Sequence, residues 1–129
     1  MTACLQDELD RRARLIFEGL IPELVVRRRG HVVDTSEVDD ELMAVFRDHI
    51  SHVCLALVPA VAGRSEQDIR REAHSLLGMG GTIGVPTLSV VAEELSTAAK
   101  QGDFTRCSEL VEGLGNWMAF WSGEGGTAR

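Results

Sequence analysis

Apolar residues recur along this chain at three- and four-residue steps, the spacing that lays one stripe along an α-helix. Residues 3–20 predict a first amphipathic helix through Leu5, Leu9, Ala13, Ile16, Phe17 and Leu20, weakened at its end by Gly19 and Pro22. Val25 to Val33 has no clear period. Asp34-Thr35-Ser36 then supplies N-cap residues, and Glu37, Asp39, Asp40 and Glu41 follow in the first turns; both are helix-start signals. The helix so begun keeps a heptad-like stripe of Val38, Leu42, Val45, Phe46, His49, Val53, Leu57 and Ala60, and Pro59 is expected to end or kink it near its last turn.

Gly63-Arg64-Ser65 reads as a short turn with Ser65 as cap. The next helix runs into a cluster of glycines and is expected to stop at Pro86. Thr87 to Gln101 follows, with Leu88, Val91, Ala92, Leu95, Ala98 and Ala99 on one face and Gly102 at the position that favours a left-handed backbone. Asp103 caps a last helix carrying Phe104, Cys107, Leu110, Val111, Leu114, Met118 and Trp121. Val25-Val26 and Val32-Val33 are too short to make strands. Four amphipathic helices joined by short turns bury their stripes best as antiparallel neighbours. The expected fold is therefore all-α: an antiparallel up-down four-helix bundle over 34–122. An additional N-terminal helix and connector (1–33) should pack on the bundle, and a Gly-rich tail (123–129) should be disordered.

Composition narrows the classes. With 129 residues, 44% of them hydrophobic, the chain can bury one core. Cys4, Cys54 and Cys107 are too few and too scattered for a disulfide framework, which suggests reduced thiols in a cytoplasmic protein. Asp7, Glu8 and Asp10 exclude a signal peptide. The apolar run from Val53 to Gly63 contains Pro59 and falls short of the about 20 residues that span a bilayer, so no membrane anchor is expected. A net charge of −7 argues against nucleic acid. Against that balance stand the arginines at 11, 12, 14, 27, 28 and 29. Arg27-Arg28-Arg29 suits a helix end or a solvated face, with a basic docking site as the functional alternative. His49 and His52 share a helix but have no acidic or thiol partner at matching spacing except Cys54, which points elsewhere, so no metal site is expected.

One stretch carries chemistry: Ala73-His74-Ser75-Leu76-Leu77-Gly78-Met79-Gly80-Gly81-Thr82-Ile83-Gly84. On a helical wheel Ile69, Ala73, Leu76, Gly80 and Ile83 share a core face, while His74 looks outward beside Arg70, Arg71, Gly78 and Gly81. Each glycine inside a helix costs about 1 kcal/mol relative to alanine. A helix fraying into a Gly-rich cap beside an incidental histidine is the competing account.

Ala73, His74, Leu76, Gly78 and Gly84 stand at the spacing of the phosphoacceptor motif of histidine phosphotransfer (HPt) domains, which this stretch resembles. The similarity continues through Leu88, Leu95, Lys100 and Gly102-Asp103, covering about residues 37–121. The resemblance implies a phosphocarrier with no kinase activity, nucleotide pocket, metal or cofactor of its own. It further implies that His74 is the phosphoacceptor and that the partners are receiver domains of a hybrid histidine kinase and a response regulator, the receiver holding the Mg²⁺. A monomer is expected. Glycines at 78 and 81 would let a receiver close over His74, with Leu77 and Met79 extending an apolar docking patch or lying as peripheral core. Two family residues are missing: the lysine three positions after the histidine is Leu77, and the acid that often follows the helix leucine is Ser96. Arg70 or Arg71 could replace the lysine's charge. A degenerate bundle that binds a kinase or receiver as a non-catalytic inhibitor or scaffold is the alternative function.

Overall fold

A computed structural model describes residues 5–31 and 39–126, with side chains described to residue 122. Its elements are α1 (Leu5–Phe17), α2 (Leu24–Arg28) continued by a 3-10 turn (Arg29–His31), α3 (Asp40–Ala62), α4 (Glu66–Thr82), α5 (Pro86–Lys100) and α6 (Phe104–Gly126). The described residues contain no strand. Helices α3 to α6 form the antiparallel bundle, each packed on its two neighbours, with α4 and α5 the most closely joined pair. The added N-terminal helix α1 lies against α5 and α6, and α2 lies on α5.

Helix ends explain the sharp turns. Three successive helices close the same way: the second residue past the C-cap bonds back to the carbonyl four positions before the cap residue's successor, leaving one residue in the left-handed region. Ser65 N–H reaches Ala60 O at 3.0 Å, Val85 N–H reaches Gly80 O at 2.9 Å, and Asp103 N–H reaches Ala98 O at 2.9 Å. The left-handed residues are Arg64 (φ 53°), Gly84 (φ 81°) and Gly102 (φ 72°). Gly84 therefore stops α4, whereas Pro86 opens α5 at its first turn, where its missing N–H is not needed. Asp103 caps α6, its Oδ1 accepting from Arg106 N–H at 3.0 Å.

Several expectations change. The cap sought at Asp34, Thr35 or Ser36 lies outside the described residues; the helix starts later, with Asp39 Oδ1 accepting from Leu42 N–H at 2.9 Å. The buried face of α3 is Met43, Ile50, Val53, Cys54, Leu57 and Ala60, while Leu42 and Val45 are 39% and 58% exposed and His49 faces solvent. A seven-residue repeat drifts around a straight helix, so a stripe correct at Val53 and Leu57 slips off the core toward the N-terminus. Pro59 sits inside α3, which continues to Ala62. Taken whole, α3 is long and apolar enough by length and composition to cross a membrane, although in the fold it packs between α4 and α6. Helix α6 continues through Gly126, into the 123–129 stretch expected as a tail, and 127–129 lie outside the described residues.

The extra helix is bound by specific contacts as well as by area. Leu9, Ala13 and Phe17 are fully buried. Trp117 on α6, also fully buried, donates Nε1–H to Leu9 O at 2.8 Å. Gly113 gives Phe17 its seat, since a Cβ there would lie 2.7 Å from Phe17 Cε1.

Candidate functional site

Ser65 caps α4, its Oγ accepting from Asp68 N–H at 3.3 Å, and Glu66 and Asp68 favour the positive end of the helix dipole. The helix then stays regular through Gly78, Gly80 and Gly81 instead of fraying. These glycines do different things. A Cβ on Gly80 would meet Leu88 Cβ at 2.9 Å, Ser89 Oγ at 2.9 Å and Ser89 N at 3.0 Å, so its bareness is what brings α5 this close. A Cβ added at Gly78 or Gly81 would meet nothing within 4 Å outside its own stretch of helix. Gly78 lies one turn and Gly81 two turns after the exposed His74, so on that side the helix offers bare backbone.

On its other side His74 lines an open groove of about 1130 Å³ between α4 and α5, closed at one edge by α2. Arg70, Arg71 and Leu77 line it too, so four of the six residues singled out in the sequence meet there, with Gly78 and Gly81 alongside. Arg70 is paired with Glu66 (3.1 Å), and Arg71 with Asp68 (3.0 Å). Leu77 is half-buried against the core. Met79 is buried and takes no part in an exposed patch.

The opposite wall joins Glu93 and Thr97, which the sequence reading left aside, to residues it did not connect with His74. Glu93, Ser96, Thr97 and Lys100 come from α5 and Arg27 from α2. Arg27 Nη1 lies 2.9 Å from Glu94 Oε1 and Nη2 lies 3.5 Å from Glu93 Oε1. Arg106 Nη2 reaches Glu94 Oε2 at 3.1 Å, and His31 Nε2 lies 3.0 Å from Glu93 Oε2. Partial burial works against the Glu94 charge, but the two guanidiniums outweigh it and hold the carboxyl below its ordinary value. Burial likewise opposes the Arg27 charge, yet Glu94 and Glu93 raise its pKa. The arginine run is thus neither a free face nor a simple helix end: Arg28 is also spoken for, at 2.7 Å from Asp10 Oδ2. Glu93 was findable from the sequence, one turn before Ser96 on the same face of α5. Arg27 was not, since 66 positions separate it from Glu93.

Among the described residues no three His, Cys, Asp or Glu side chains converge as a metal site. His49 and His52 are both exposed, and His52 Nδ1 lies 3.0 Å from the Asp48 carbonyl. Burial pushes the Cys54 thiol up to about 11.

The Hpt domain family model matches residues 41–120, and the chain belongs to that family. Members are phosphocarriers, not kinases, in two-component signalling, and they interact with receiver and kinase domains. Comparison with curated proteins and with solved structures gives no match. The matched residues begin after α1 and α2, so Arg27 stands outside them.

Proposed function

We propose that this protein relays a phosphoryl group through His74 between aspartates of receiver domains, one in a hybrid histidine kinase and one in a response regulator. The observation that carries the reading is the exposed imidazole of His74, with open space at Gly78 and Gly81 on one side and a cation-lined groove on the other. A neutral ring nitrogen attacks the phosphorus of the receiver's aspartyl phosphate, the P–O bond to the aspartate breaks, and the carboxylate leaves. The ring's other nitrogen releases its proton to solvent. Transfer to the second receiver reverses these steps. Such chemistry depends on positioning and charge stabilisation, and the receiver supplies the Mg²⁺. The carrier works as a cytoplasmic monomer.

The test is incubation with a panel of phosphorylated receiver domains, scoring acid-labile label on the chain, with His74→Gln beside it. Label is expected on the parent alone. Undiminished label on His74→Gln would overturn the assignment. Receivers that bind without transferring would point instead to the non-catalytic scaffold that the exchanges at Leu77 and Ser96 suggest.

A further inference from the structure

The helix pairing that holds His74 also brings it level with a guanidinium from outside the family-matched residues. The α4–α5 register is set by Val85 N–H on Gly80 O (2.9 Å) and by Ser89 Oγ–H on Leu77 O (3.1 Å). One turn further from the hairpin, His74 stands opposite Ala92 and Glu93, which line the same groove. Arg27 is fixed at that level by its two carboxylates. Lys100 lies seven positions past Glu93, roughly 10 Å further along the groove. Arg70 and Arg71 are turned to carboxylates of their own helix and are largely exposed, where ion pairs count for little.

The two contacts of Arg27 are unequal. Glu94 holds it at 2.9 Å and is itself braced from behind by Arg106. Glu93 lies at 3.5 Å and keeps a second partner in His31. A phosphoryl group adds up to about two negative charges beside Glu93 and three acceptor oxygens. A guanidinium can keep one anion on one nitrogen while its fork turns another to a phosphoryl oxygen, which an ammonium cannot match.

Resting on the phosphotransfer reading above, we propose that Arg27 is the phosphoryl-binding cation of this protein. When His74 is phosphorylated, Arg27 stays on Glu94, exchanges Glu93 for phosphoryl oxygens and fills the role that Leu77 vacates. The N-terminal segment is then part of the site, and Glu94 and Arg106 are its positioning residues.

Phosphoramidate tests this on the full chain without any receiver: its P–N bond breaks, the phosphoryl passes to a histidine ring nitrogen, and ammonia leaves with a proton. Phosphorylation should shift the Arg27 Nε–Hε resonance in ¹⁵N NMR spectra while the Arg106 resonance stays in place. Arg27→Gln should slow labelling of His74 about threefold at low salt, the size expected for one partly buried cation. Arg27→Lys should recover part of that rate, and the difference should close at about 1 M salt. An unmoved Arg27 resonance, or parental labelling by Arg27→Gln, overturns the proposal. Should Arg27→Gln lose helicity, the resonance and Arg27→Lys decide alone. Receivers that fail to exchange phosphoryl with a phosphoramidate-labelled chain would sink the relay and leave this inference standing; no label at His74 would sink both.

Discussion

Asp10 of α1 caps a helix that begins 76 residues later: its Oδ1 accepts the Thr87 N–H at 3.0 Å, in the first turn of α5. Val85 at the N-cap has no side chain able to do this. The second oxygen of Asp10 meets Arg28 at 2.7 Å and Arg14 at 3.3 Å, so one buried carboxylate ties α1, α2 and α5 together. Asp10→Ala strips a cap and strands two arginines, and should lower stability by about 3 kcal/mol. Asp10→Asn keeps the acceptor and should lose about half as much. Urea unfolding midpoints of the two variants check the order; equal losses would mean that the cap contributes nothing.

The glycines of α4 offer a contrast within one helix. Gly80→Ala pushes a methyl into Leu88 Cβ and the Ser89 Oγ and backbone N, and should destabilise by about 2 kcal/mol despite better helix propensity. Gly78→Gln enters open space and should leave the melting temperature equal or slightly higher, while phosphoryl exchange with a receiver falls sharply. A Gly78→Gln variant that unfolds would show that this glycine serves packing.

Arg64 holds the left-handed position that ends α3, although Gly63 stands beside it. A side chain there costs about 1 kcal/mol relative to glycine. Arg64→Gly removes that strain and forfeits only a distant cation–π contact with Phe104, at 5.9 Å. Calorimetry should show melting raised by about 2 °C. A lower melting point would mean that the Phe104 contact is the stronger of the two.

Glu94 gives the N-terminal segment a pH dependence. Its folded pKa is depressed, so the stabilisation is present above the unfolded value near 4.5 and is lost as pH falls through the folded one. Glu94→Gln should therefore cost about 1–2 kcal/mol at pH 7. The gap to the parent should narrow steadily below pH 4.5, which urea titrations at several pH values would reveal. A constant gap would place the effect in packing.

Much of this was legible in residue order because it is local. The outward His74, the bare Gly78 and Gly81, the buried Gly80, the Ser65 and Asp103 caps and the left-handed Gly102 all follow from spacing within one helix or turn. What escaped is what the fold joins over distance. Asp10 reads as one acid among several until Thr87 arrives beside it, and Arg27 reads as part of a basic run until Glu93 and Glu94 face it. The α3 stripe was misjudged for a different reason: its outer face keeps Leu55 and Val58 exposed, so apolar residues surround the helix and periodicity alone cannot choose a side.

The joint between α1 and α6 has an optical consequence. The chain contains no tyrosine, and its two tryptophans, Trp117 and Trp121, stand edge to face on α6 with ring centroids 5.4 Å apart. Since Trp117 is bonded to the backbone of α1, the intrinsic emission of this protein is a built-in gauge of whether its first helix is seated.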